Sequence, residues 1–175
     1  DFTAQTQVVR GFVVETRMKP RAATRRLQEG FFFSVVESDW QMLGVNAGGA
    51  VAVTVPENDL GADTRRPSNT DKLVRSRVMD RDLPRHIDVR HFNPSDDYQI
   101  GNEIASRESV AIQSDEVRTF DLPIVFTRDE AATAARTLLY LAWASRTGYR
   151  INLTHEHVRL DPSDVFSVVL GSNTL

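Results

Sequence analysis

The stretch from Phe126 to Gly148, FTRDEAATAARTLLYLAWASRTG, constrains the chain more than any other. Thr127 and Glu130 have the spacing of a capping box. The Thr hydroxyl accepts from the amide of residue 130, and the Glu side chain accepts from the amide of residue 127. Asp129 and Glu130 then place negative charge at the positive end of the helix dipole. Ala131, Ala134, Ala135, Leu138, Leu141 and Ala142 recur at three- and four-residue intervals, and Leu139 and Trp143 widen the apolar surface. Gly148 supplies a left-handed stop. The pattern predicts a helix over 128–147, rich enough in alanine to lie close against a sheet. Such a helix is scaffold, not chemistry.

The rest of the chain reads as extended runs separated by breakers. QVVRGFVVE at 7–15 has strand composition, and Pro20 opens a short helix over RAATRRLQE that stops at Gly30. FFFSVVE, QMLGVN and AVAVTV, between residues 31 and 55, predict a β-meander, with Val51, Val53 and Val55 on one face. Residues 56–82 are polar and breaker-rich, with one edge strand expected over 73–79. Further strands are expected over 85–92, 98–113, 116–126, 149–157 and 165–170, with turns at Asn93–Asp97 and Asp161–Asp164. The expected class is α+β: mainly antiparallel sheet, barrel- or sandwich-like, with one long helix packed on it and a short N-terminal helix. The expected blocks are a small α+β part over 1–60, a polar connection over 61–82 and a helix-bearing sheet part over 83–175.

Composition narrows the function classes. Hydrophobic residues make up 41% and charged residues 26% of the 175, the balance of a globular chain rather than a disordered one. No apolar run reaches the length of a membrane span, and the N-terminus carries no signal-peptide pattern. The chain starts at Asp1 rather than Met, as a fragment or a processed product would. It contains no cysteine, which removes thiol catalysis, disulfides and thiolate zinc sites. A net charge of −3 argues against a strong electrostatic grip on nucleic acid. The basic excess of Arg65, Arg66, Lys72, Arg75, Arg77, Arg81 and Arg85 is interleaved with Asp71, Asp80 and Asp82, so it reads as a solvated loop.

Several clusters invite a chemical reading. His155-Glu156-His157 on a strand would put two imidazoles on one face, but a third metal ligand is missing. His86, Asp88 and His91 suggest acid–base chemistry, yet the strand period sends His91 to the face opposite the other two. Asp96-Asp97 and Asp161/Asp164 sit in turn sequence, so a glycosidase pair would need distant carboxylates brought together. Phe31-Phe32-Phe33 lacks the interleaved basic residues of a base-stacking platform. Gly48-Gly49 is a hairpin turn that opens no helix. No G-x-S-x-G or S-x-x-K nucleophile occurs. No catalytic, cofactor-binding or metal-binding residue is assigned, and no cofactor is expected.

The order of segments goes further. LPRHIDVRHFNPSDDYQIGNEIASR at 83–107 resembles a block of phage tail hub and tail-tip proteins. The likeness is nearest to the large tail-tip proteins of gene transfer agents and related siphophages. FDLPIVFTRDEAATAARTLLYLAWASRTGYRINLTHEHVRLDPSDVFSV resembles their next block, and GFVVETRMKPRAATRRLQEGFFFSVVES at 11–38 their preceding one. Ser163 stands where that family usually has Gly before the aspartate at 164, so either the turn there uses a non-Gly conformation or the local register differs. The resemblance implies a virion structural protein, made in the bacterial cytoplasm and placed at the tail tip as a baseplate hub. It further implies a homotrimer, docking of tail-tube, distal-tail and fibre proteins, DNA met only in transit through a lumen, and no enzymatic activity. The alternatives are a cell-wall or glycan hydrolase, and a glycan-binding module that stacks sugars on Trp40 and Tyr98.

Overall fold

The computed structural model describes residues 5–61, 72–108, 114–170 and 173–174. Arg65, Arg66 and the ends at Asp1 and Leu175 lie outside the described residues. The class is α+β, and among the described residues the strands fall into four sheets of two or three strands. Contacts divide the chain into two interleaved units. One holds the described parts of 33–76 and 148–175, with Gln5; the other holds 6–32 and 77–147. The consecutive blocks expected over 1–60, 61–82 and 83–175 differ from this grouping for a simple reason. Phe12, Leu27 and Phe31, from the N-terminal stretch, pack onto the core that contains Ile87, Leu122 and Ile124.

The unit of 6–32 and 77–147 begins with an extended segment and helix α1, Pro20–Phe31. Residues 7–15 form no ladder. They are tied to the sheet by a single bridge, Phe12 to Ile124, and by bonds from the Val13 amide to the Pro123 carbonyl and from the Val125 amide to the Gly11 carbonyl. Pro20 occupies the first turn of α1, as its ring and missing N–H favour. The helix does not stop at Gly30. Phe32 takes the left-handed cap at φ 57°, while Gly30 is helical and lets Ile124 Cδ1 come within 2.6 Å of where a Cβ would stand.

With the strands of the other unit counted in chain order, the sheet here consists of β5 (His86–Asn93), β6 (Gln99–Ser106) and β7 (Val117–Val125), in the order β6-β5-β7. β5 runs antiparallel to β6 and parallel to β7. Ile87 and Val89 face the core with Leu122 and Ile124, as period-two alternation requires. Helix α2, Arg128–Ala144, packs on β5 and β6. Its capping box is formed in both directions: the Glu130 amide donates to Thr127 Oγ1 at 3.4 Å and the Thr127 amide to Glu130 Oε2 at 2.9 Å. The buried stripe is Ala131, Ala134, Ala135, Leu139 and Trp143. Steps of four from Ala131 lead to Leu139 and Trp143, leaving Leu138 half-buried and Leu141 exposed. Burial of Trp143 is completed by its indole N–H, which donates to the buried Pro84 carbonyl at 2.9 Å. α2 ends with Ser145 as its C-cap, so Gly148 is not its stop; that glycine lies in the next strand.

In the other unit, β1 (Phe33–Ser38) and β2 (Gln41–Asn46) form an antiparallel hairpin across Asp39-Trp40, both at positive φ. The expected meander ends there. β3 (Val51–Val55) does not join β2 but pairs in parallel with β9 (Val165–Leu170), whose other neighbour is β10 (Asn173–Thr174). β4 (Leu73–Arg77) pairs with β8 (Thr147–Ile151). Val55, Leu60 and Val168 are the buried centre of this unit. The pairing with β9 buries Val55 fully, a sequestration a hairpin continuation would not require.

Candidate functional site

The clusters flagged by residue type fall in structural roles. His155–His157 form a short 3-10 helix, not a strand, so the shared face is lost; a 3-10 helix turns about 120° per residue. His155 is exposed, while His157 Nε2 lies 3.1 Å from Asp59 Oδ2. Among the described residues no group of three or more metal-capable side chains comes together. Asp161 and Asp164 organise their own turn: the Asp161 amide donates to Asp164 Oδ2 at 2.9 Å, and Ser38 Oγ donates to Asp161 Oδ2 at 2.6 Å. Ser163 sits in that turn at φ 80°, the left-handed region that favours glycine, so the turn keeps a glycine-type backbone and not the non-Gly conformation expected. Asp96 and Asp97 lie in the turn after β5, where the Ser95 amide donates to Asn93 Oδ1 at 3.0 Å.

The described basic residues of the interleaved stretch are largely taken up by carboxylates. Arg77 lies 3.4 Å from Asp80, Arg81 3.4 Å from Asp82, and Arg85 3.1 Å from Asp115. Trp40 is 98% exposed and Tyr98 60% exposed, each at a turn in left-handed conformation. Phe31 packs edge-on against Phe126 with ring centroids 5.4 Å apart, which makes it core and not a stacking platform.

β5 separates the residues of the proposed acid–base cluster. His86 and Asp88 point to one face of the sheet and His91 to the other, where it is buried. Neither ring nitrogen of His91 has a partner at full hydrogen-bond geometry among the described residues. Desolvation lowers its pKa from the usual imidazole value, opposed by the Val89 backbone and the Glu103 carboxylate. The neutral ring lies against Gly101, where a Cβ would meet His91 Cε1 at 2.9 Å. His91 also lines a groove of about 360 Å³ with Phe12, Met18, Ile100 and Leu122. At this groove Arg90 lies 3.6 Å from Asp121, and Arg26 donates to the Asp121 carbonyl at 3.2 Å. No sequence motif announces this groove, because it is assembled from the N-terminal segment and all three strands.

The outer surface of this sheet is unusual in another way. Ile100, Ile104 and Val117 are exposed on the side away from α2, and β6 and β7 are its two edge strands. At the end of β6, a cleft is lined by Ile104, Arg107, Arg136, Leu139 and Tyr140, and the Arg107 guanidinium lies 4.3 Å from the centre of the Trp143 ring system. Aromatic, arginine and isoleucine side chains therefore stand together at an open edge of the sheet.

The family model described as "Putative phage tail protein" matches residues 19–175. The chain belongs to that phage tail family. Its fold is also that of a chain in a solved structure, the "Virion of native gene transfer agent (GTA) particle", at a TM-score of 0.77 and 19% identity. That alignment covers 87% of this chain but 34% of the other, so this member of the phage tail family spans about a third of the length of the solved relative. No curated protein matches. In this tail family member no helix of the described residues is long and apolar enough to cross a membrane.

Proposed function

We propose that the chain is part of a baseplate hub at the tip of a phage or phage-like tail. In this reading it acts by self-association as a homotrimer and by docking tail-tube, distal-tail and fibre proteins around a passage for DNA. It has no reaction of its own, and it is made in the bacterial cytoplasm before incorporation into the virion. The observation that carries the reading is the family match across 19–175, joined by likeness of fold to a chain of a gene transfer agent particle. The exposed apolar residues on the two open edge strands support it, since open edges attract pairing with another chain.

The test is location. Antibody against this segment, gold-labelled and applied to purified particles, should decorate the tail end distal to the capsid. Label on the capsid, or particles that lack the protein, would sink the reading. The glycan-binding alternative has one observation in its favour, the nearly bare Trp40 indole. Binding on a glycan array that is lost in Trp40→Ala would support it.

A further inference from the structure

The second face of the β6-β5-β7 sheet and its two edges carry more information than a general docking surface. β6 is eight residues long, pairs with β5 without a bulge, and contains neither Lys nor Pro. Its one charged residue, Glu103, is engaged by Arg128 at 2.8 Å. Edge strands left this regular attract another strand unless something covers them. The opposite edge, β7, is partly used: the N-terminal segment bonds at Pro123 and Val125, and Arg26 takes the Asp121 carbonyl. That leaves the outer edge of Val117–Phe120.

Resting on the homo-oligomeric reading above, we propose that β6 of one copy pairs antiparallel with β7 of the next copy. Three observations select this occupant. The directions agree: β7 runs parallel to β5 and β6 antiparallel to it, so a second sheet continuing in the same plane brings β6 against β7 in the antiparallel sense. The rows agree: Ser106, His86 and Val117 share one level, as do Ile104, Asp88 and Thr119. Unstaggered pairing therefore sets Val117 opposite Ser106 and Thr119 opposite Ile104 of the neighbour, with the exposed Val117 and Ile104 as diagonal neighbours on one face. The charges agree as well. Asp115, immediately before β7, arrives at the end of β6 where Arg107 and Arg136 flank Tyr140, beside Glu116, which Arg118 already bridges at 2.8 Å. Neither arginine has a carboxylate partner among the described residues, and the Asp115 side chain is 95% exposed despite its contact with Arg85. Acidic start meets basic end only in the antiparallel sense. Such a contact is head-to-tail, so rotation can close it into a ring.

The chain has no cysteine of its own, which permits a clean test. In the full-length protein, with any cysteine outside these 175 residues replaced by serine, paired substitutions Ser106→Cys with Val117→Cys, Ile104→Cys with Thr119→Cys, and the staggered Ser106→Cys with Thr119→Cys are oxidised mildly. Within one copy each pair spans the central strand, a separation of about 10 Å or more. A disulfide bridges at most about 7 Å between Cα atoms, so any bond formed joins two copies. The expected result is a cross-linked ladder that ends at a closed ring for at least one pair, and no ladder for the single substitutions. An oligomer by light scattering that none of the pairs cross-links would overturn the edge pairing and leave the hub reading standing. Cross-linking by Asn102→Cys alone would overturn it in favour of two β6 strands meeting about a two-fold axis. A protein that stays monomeric would overturn both.

Discussion

Trp143→Phe probes how α2 is held to its sheet. Trp143 is 6% exposed, its indole N–H donates to the Pro84 carbonyl at 2.9 Å, and Arg107 covers its ring. Phenylalanine keeps an aromatic ring at the site but cannot donate. Pro84 is itself fully buried, so its carbonyl loses a partner, at a cost of about 1–3 kcal/mol. The smaller ring gives up roughly 40 Å² of buried apolar surface, worth about 1 kcal/mol. The sum is about 2–4 kcal/mol. Urea unfolding followed by far-ultraviolet circular dichroism reads it as a lower midpoint at unchanged slope. A second variant, Arg107→Ala, should cost less, because a cation at the protein surface over a ring face contributes about 0.5–1 kcal/mol. In the double variant the two effects should fall short of additivity, since each removes part of one contact. An unchanged midpoint in Trp143→Phe would refute the claim that the end of α2 is anchored through this indole.

Three further outcomes follow from local geometry. Gly30→Ala places a Cβ 2.6 Å from Ile124 Cδ1 inside the core, so it should destabilise by about 1–3 kcal/mol despite the better helix propensity of alanine, as read by the same denaturation curve. Ser163→Gly relieves a side chain at φ 80° and should stabilise by up to about 1 kcal/mol after the added chain entropy of glycine, read as a raised Tm. Burial raises the pKa of the Glu130 carboxyl, but the hydrogen bonds from Arg10 and Thr127 and the Arg10 charge outweigh it and hold the group below its ordinary value. A lowered folded-state pKa gives stability that is present above the unfolded value, about 4.3, and is lost as pH falls through the folded one. Glu130→Gln should therefore flatten the acid limb of the stability profile; an acid limb identical to the parent's would show that the capping box is not titrating.

Legibility in the sequence tracked the range of the determining interaction. The cap of α2 is written in four consecutive residues, Thr127 to Glu130, and forms as read. The start of α1 at Pro20 and the strands at His86–Asn93 and Val165–Leu170 are equally local. What depended on distant partners was misplaced. Gly30 and Gly148 both carry the residue type of a helix stop, but Gly30 is needed for close approach to Ile124 and Gly148 lies in β8 beside Ser76. β3 looked like a third meander strand because hairpin neighbours are common; its partner β9 lies more than a hundred residues away. The strand assigned to 149–157 stopped at Ile151, and the imidazoles of His155 and His157 separated with it. The edge surface and the His91 groove could not be read at all, since each combines residues from several strands whose order the sequence does not state.

The mass of the full-length protein in solution tests the central claim most directly. Light scattering coupled to size exclusion, at micromolar concentration and in buffer of physiological ionic strength, should give three times the chain mass, because a hub works through copies of itself arranged about one axis. A full-length protein that keeps the mass of one chain at every concentration would contradict the account.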